Sequence, residues 1–242
     1  LKMDKKKIKE YFSKDNTVYA WWDPHNSDKK EVYLRQERIV CKIVKNRKIK
    51  RIIDISSGKG RYALLLSQDK EYTCLDISKQ MLNHIKKLKI NVRLINADVE
   101  KIPLKEKFDL ILCSEALVHY PHPGKAVREM KRILNKEGII IITTDNKYCI
   151  GKIIRILDNF INTLFKKNIC GLENNIYKPY SDKEYREIFR KQKLKIKEMI
   201  PLSIFTTPIK ISKNGHYLLP PRISSKFLFI DYILEKIPLI NK

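Results

Sequence analysis

Acidic residues are scarce in this chain: 27 Asp and Glu face 51 Lys and Arg among 242 residues, a formal charge of +24. No apolar run approaches the roughly 18 residues that a membrane-spanning helix requires, so none is expected. The five cysteines (Cys41, Cys74, Cys113, Cys149 and Cys170) form no C-x-x-C pair, which excludes the usual zinc spacing and gives no disulfide framework. No metal site is expected. The Lys-rich opening has no apolar stretch followed by a small-residue cleavage site, so it does not read as a secretory signal. A reducing, cytoplasmic setting is the expectation. Arginine is also sparse, at 12 against 39 lysines, although Arg is the residue suited to bidentate phosphate recognition. The excess charge therefore admits two readings, a compositional bias or an attraction to anionic partners. It is unevenly spread: +8 over residues 1–50, +6 over 51–150 and +10 over 151–242.

An apolar fraction of 43% is ordinary for a globular protein. Lys5–Lys14 reads as a short basic helix, and Lys30–Asn46 as a second, with Val32, Leu34, Ile39, Val40 and Ile43 near helical spacing. Between them both tryptophans stand side by side in Tyr19-Ala20-Trp21-Trp22-Asp23-Pro24. Neighbouring residues point apart, so one Trp either faces a cleft or packs in the core. From Arg51 the pattern alternates. Short apolar strands are expected at Arg51–Ile55, Tyr72–Leu75, Asn91–Ile95, Phe108–Cys113 and Gly138–Thr143, with helices at Gly60–Ser67, Ser78–Leu88 and Gly124–Leu134. Such alternation predicts an α/β fold with a doubly wound, mostly parallel sheet. Beyond Asp145, Ile150–Phe165 carries an apolar stripe with basic flanks, a basic amphipathic helix. Ser181–Arg190 reads as a helix opened by a capping box of Ser181 and Glu184. Leu194–Ile204 reads as a strand, and Phe227–Ile240 as a hydrophobic tail.

Chemistry concentrates in Ile52-Ile53-Asp54-Ile55-Ser56-Ser57-Gly58-Lys59-Gly60-Arg61-Tyr62-Ala63. A strand enters a glycine turn that opens a helix, so backbone can approach a ligand without an intervening Cβ. Free N–H groups at the helix start favour an anionic group. Gly58-x-Gly60-x-x-Ala63 also fits the dinucleotide fingerprint, which keeps nicotinamide or flavin binding open here. Sixteen residues after Gly60, Asp76 ends the second strand in Leu75-Asp76-Ile77-Ser78, where a carboxylate can accept both hydroxyls of a ribose.

The segment 52–63 resembles motif I of class I methyltransferases, hydrophobics and an acid followed by G-x-G-x-G. Ser56 stands in place of the first glycine. Three further segments follow in the order that family shows. Asn96-Ala97-Asp98-Val99-Glu100-Lys101-Ile102-Pro103-Leu104 is similar to its D-x-x-x-L/I-P segment, and Phe108-Asp109-Leu110-Ile111 with Ser114-Glu115-Ala116-Leu117-Val118-His119 to its fourth-strand segment. Ala126–Gly138 is similar to E-x-x-R-v-L-k-P-G-G, with Lys136-Glu137-Gly138 at its end. Together they cover roughly residues 50–145, and the match is closest to the quinone-biosynthesis type (methyltransferase type 11).

What the resemblance implies is a Rossmann-like, seven-stranded-type sheet with N-terminal helices and a helical lid. Its cofactor would be S-adenosylmethionine, held by Asp54, Ser56, Gly58 and Gly60 of the loop and by Asp76, Ile77 and Met81 after the second strand. Ala97, Asp98 and Val99 would face the adenine, with Ser114 at the fourth strand. His119, just past that strand, is the candidate general base, its imidazole titrating near neutrality. Its alternative is to shape the loop. Tyr19, Trp21, Trp22, Tyr148 and Tyr177 are the candidate substrate residues. The expected division is residues 1–50 as a substrate cap, 51–145 as the cofactor core, 146–180 as an amphipathic lid, and 181–242 as completion of the sheet with the tail. The expected activity is methyl transfer to a small or lipid-like acceptor, isoprenoid or quinone, with peripheral membrane contact through the basic helix. Alternatives are an RNA methyltransferase, using the basic runs and Trp stacking, and a cofactor-binding relative without turnover.

Overall fold

Apolar runs such as Ile52-Ile53 and Leu110-Ile111-Leu112 suit strands whose sheet is covered on both faces. The computed structural model describes residues 3–14, 30–145, 176–200, 209–210 and 217–219, and places these runs so. β1 (Arg51–Ile55), β2 (Glu71–Asp76), β3 (Arg93–Asn96), β4 (Phe108–Ser114) and β5 (Leu134–Thr143) pair in the order β3-β2-β1-β4-β5, all parallel. Strand order reverses between β1 and β4, and the crevice outside the strand ends at such a reversal is where open α/β sheets bind ligands.

Helices α1 (Lys5–Tyr11) and α2 (Lys30–Lys45) precede the sheet, while α3 (Arg61–Leu66), α4 (Lys79–Lys87) and α5 (Pro123–Ile133) connect its strands. Alternate strand residues feed two cores. Ile53, Ile55, Ile111 and Cys113 pack on one face with Ala126, Val127 and Met130 of α5. Ile52, Cys74, Leu110 and Leu112 pack on the other with Val40 and Val44 of α2 and with Tyr62 and Ile85. Burying each of these aliphatic side chains is worth about 1.5–3 kcal/mol. Ser78 caps α4, accepting from the Met81 N–H at 3.3 Å.

Asp109, on β4, has a role that its sequence context did not reveal. Its Oδ2 accepts the Lys50 and Arg51 N–H groups, both at 2.9 Å, and its Oδ1 accepts the Asn135 amide at 2.6 Å. Although partial burial opposes the charge, these donors hold the carboxyl below the usual range. It thus ties the start of β1 to Asn135, in the part of β5 where the β4–β5 register shifts.

The doubly wound architecture is as expected, with five strands in the described sheet rather than seven. The expected strand at Leu194–Ile204 is not formed over its described part, residues 194–200. Burial still alternates there, with Leu194 and Ile196 half-buried between exposed lysines, but among the described residues no neighbouring edge supplies a ladder. Helix α6 (Asp182–Lys191) does form with its capping box complete, and Tyr185 enters the first core. β6 (Ile209–Lys210) and β7 (Tyr217–Leu219) pair antiparallel with each other, outside the five-stranded sheet. The amphipathic helix expected at 150–165, the tail at 227–240, and Tyr19, Trp21, Trp22 and Tyr148 lie outside the described residues. No described helix is long and apolar enough to cross a membrane.

Candidate active site

The glycine turn after β1 builds one wall of a cleft over the carboxyl ends of β1, β2 and β4. Gly60 (φ +81°) sits at the start of α3, its N–H donating to the Ser57 carbonyl at 2.9 Å. A Cβ there would lie 3.0 Å from Ile85 Cγ1, so the position needs glycine for both its backbone and its packing. Gly58 (φ +53°) lines the cleft, and a Cβ built on it would meet nothing within 4 Å. Its missing side chain leaves open space where a ligand would approach. Ser56, the expected glycine, adopts the same left-handed region (φ +55°) and also lines the cleft. Its hydroxyl lies 2.7 Å from the Tyr120 hydroxyl.

Asp76 stands at the end of β2, 6% exposed. Its Oδ2 accepts the Gly58 N–H at 2.9 Å and its Oδ1 the Ser78 N–H at 2.8 Å. Burial pushes its pKa up to about 6, against the opposing N–H groups of Ser78, Gly58 and Ile77. An ionised carboxylate offers about four acceptor sites, so each oxygen can still take a hydroxyl. Asn96 braces the turn behind it, donating to the Asp76 and Ile77 carbonyls at 2.9 and 3.0 Å. Ile77, Met81, Ala97, Asp98, Val99 and Ser114, all expected at the cofactor, line the same cleft.

Asp54 and Gly60 do not reach the cleft wall. Asp54 is buried behind the loop, accepting the Tyr72 hydroxyl at 3.2 Å. Burial first, and the nearby Asp76 in addition, raise its pKa to about 7, against the Tyr72 hydroxyl and the Arg61 guanidinium. Its bond to Tyr72 joins β1 to β2.

His119 lines the cleft with its Nδ1 2.6 Å from the Ile176 carbonyl. A carbonyl only accepts, so Nδ1 carries the proton and Nε2 keeps its lone pair. Burial lowers the histidine's pKa, against the Ile176 carbonyl and Asp145, so the ring is neutral at neutral pH. It lies between Phe12, at 5.0 Å edge-on, and Tyr177, at 5.7 Å between ring centroids. Tyr177, an expected substrate residue, donates its hydroxyl to Asp145.

Several residues at the cleft escaped sequence reasoning. Lys5, Ile8 and Phe12 bring α1 over it. Ile8 and Phe12 stand four apart, so their shared face was readable, but its target was not. Glu115 (φ +55°) accepts the Gln36 amide at 2.6 Å and the Thr143 hydroxyl at 3.0 Å. Gln36, 3% exposed, in turn accepts the Arg61 guanidinium at 2.7 Å. No local pattern links positions 36, 61 and 115. Among the described residues no cluster of three or more His, Cys, Asp or Glu is placed to hold a metal.

The arrangement can hold a nucleoside through its ribose and base, beside a neutral imidazole. Comparison with known proteins points the same way. Residues 53–142 match the family described as "Methyltransferase domain". An uncharacterized protein of Methanocaldococcus jannaschii is 30% identical over 156 residues, 64% of this chain and 61% of that protein. A ubiquinone biosynthesis O-methyltransferase of Alkalilimnicola ehrlichii is 28% identical over 142 residues, 55% of this chain and 58% of that enzyme. The chain thus spans about three fifths of the length of these relatives, 61% and 58%. Among solved structures, the magnesium protoporphyrin IX methyltransferase of Synechocystis, with bound SAH, aligns with a TM-score of 0.59 at 18% identity, over 78% of this chain and 89% of that one. That last likeness is one of fold.

Proposed function

With residues 53–142 a methyltransferase domain of the class I fold, we propose that the chain transfers a methyl group from S-adenosylmethionine to a hydroxyl of a small or lipid-like acceptor, a quinol or other isoprenoid among them. The observation that carries the hydroxyl is His119: a neutral ring with its Nδ1 proton tied to the Ile176 carbonyl keeps Nε2 available as a base. A hydroxyl must lose its proton as it attacks, and an imidazole of this tautomer can take it. The Alkalilimnicola relative bears the name of an O-methyltransferase, which agrees with that choice.

The cleft suits the cofactor. Asp76 would accept the ribose hydroxyls with the lone pairs its two backbone bonds leave over, and Gly58 lets the loop approach without a side chain. Ala97, Asp98 and Val99, which line the same cleft, would border the adenine. When bound, S-adenosylmethionine supplies a methyl on a sulfonium centre, already a good leaving group. What the protein adds is then mainly proximity and alignment, with His119 holding the acceptor's proton and Phe12 and Tyr177 flanking the imidazole.

A polyanionic acceptor such as RNA suits this cleft less well. Asp76, Asp98, Glu100 and Glu115 all line it, and Lys5, from the first basic run, is committed to two of them. Incubation with methyl-labelled S-adenosylmethionine and a small-molecule and lipid extract, followed by mass spectrometry, tests the proposal. The expected product is a methyl ether on a small or isoprenoid molecule. Tight NADH binding with no S-adenosylmethionine binding would overturn the reading. Label appearing in RNA alone would overturn the acceptor.

A further inference from the structure

The one departure from the glycine motif, Ser56, meets a residue 64 positions away. Ser56 has φ +55°, a region L side chains rarely adopt and glycine enters freely. Its hydroxyl meets the Tyr120 hydroxyl at 2.7 Å, and both residues line the cleft. Tyr120 is 7% exposed and also lies 3.5 Å from the Cys113 thiol. Tyr120 also follows the turn Leu117–His119, so one short segment carries both the candidate base and this brace.

We infer that Tyr120 is a positioning residue for the cofactor loop: its hydrogen bond to Ser56 fixes the left-handed turn that a glycine would otherwise adopt, and so sets cofactor affinity. This rests on the S-adenosylmethionine reading proposed above. A tyrosine that merely packs would matter equally whatever residue stood at position 56. A tyrosine that acts through the serine hydroxyl matters only while that hydroxyl is present.

A double-mutant cycle separates the two. Calorimetry on the full chain would compare S-adenosylmethionine affinity in wild type, Tyr120→Phe, Ser56→Gly and the double variant, with thermal unfolding recorded alongside. Tyr120→Phe is expected to weaken binding about tenfold with Ser56 present, and by less than about threefold once Ser56 is glycine. Ser56→Ala deletes the same bond from the other side and should lose about tenfold too, which serves if Tyr120→Phe folds poorly. Equal losses from Tyr120→Phe in both backgrounds, or full affinity in Ser56→Ala, would overturn the inference and leave the cofactor reading standing. A folded wild type that binds no S-adenosylmethionine would overturn both.

Discussion

The Lys5 ammonium reaches the Asp98 carboxylate at 2.6 Å and the Glu100 carboxylate at 2.7 Å, pinning α1 over the mouth of the cleft. Glu100 is nearly buried, 5% exposed at its side chain, and also accepts the His122 N–H at 3.0 Å. Burial disfavours the ammonium, but the two carboxylates outweigh it and hold its pKa above the ordinary lysine value. A raised lysine stabilises the folded state at every pH below its unfolded value, and that contribution fades as pH rises through the folded one. At neutral pH the contact is therefore fully present. Lys5→Gln should speed amide exchange across Ile8–Phe12 several-fold at low salt. Because the Lys5 side chain is 39% exposed, screening should shrink the difference at high salt. Exchange rates unchanged by the substitution would show that Ile8 and Phe12 alone seat the helix.

Asp76 carries the cofactor prediction. Asp76→Ala should abolish measurable binding of S-adenosylmethionine while circular dichroism and the unfolding transition persist. Losing two hydroxyl contacts to a charged acceptor costs about 3 kcal/mol or more, roughly a hundredfold. The wild-type site also has a pH signature. With the Asp76 pKa raised to about 6, the carboxylate becomes protonated as pH falls through that value and gives up acceptor sites. Affinity should then drop between pH 7 and 5, as followed by titration calorimetry. Full affinity in Asp76→Ala would remove the ribose role.

His119 predicts a rate effect rather than a binding effect. His119→Gln keeps a polar side chain of similar reach but cannot take a proton, and should lower kcat by about 10²- to 10⁴-fold while leaving cofactor affinity within about threefold. Burial lowers the wild-type pKa, so the ring remains a base below the usual histidine range. The acid limb of the kcat profile should therefore lie on the acid side of the ordinary histidine range, with kcat level at neutral pH. A profile that halves above pH 7, or a His119→Gln enzyme of normal rate, would make His119 a shaping residue of the loop.

What the sequence revealed and what it hid follow from the range of the interactions. Strand and helix periodicities are local, and so are caps: the Ser181–Glu184 box sits where its spacing placed it. The cofactor loop was legible because a strand, a turn and a helix lie within a dozen consecutive residues. Lys5 with Asp98 and Gln36 with Glu115 were not, because 93 and 79 residues separate the partners. Leu194–Ile200 shows the opposite failure. Its alternation is genuine, but a strand also requires an edge to pair with, and local pattern carries no information about that edge.

Gln36 gives the last prediction. Its Nε2 donates to Glu115 at 2.6 Å and its Oε1 accepts from Arg61 at 2.7 Å, so one buried amide reads two opposite charges at once. Gln36→Leu fits the volume but withdraws both bonds, and should cost about 2–4 kcal/mol in urea unfolding. Gln36→Glu is the sharper test. It keeps an acceptor for Arg61 but sets a carboxylate oxygen against Glu115, where both cannot stay ionised at low cost. One of the pair must hold its proton, so its folded pKa lies above the unfolded value near 4.3. A raised acid favours the folded state at low pH and loses that advantage as pH rises. Gln36→Glu should therefore approach wild-type stability near pH 5 and fall furthest behind at pH 8, whereas the Gln36→Leu deficit should change little across the same range. A Gln36→Glu deficit that is constant with pH would mean that Arg61 swings over to neutralise both carboxylates, and that the amide is not what keeps them compatible.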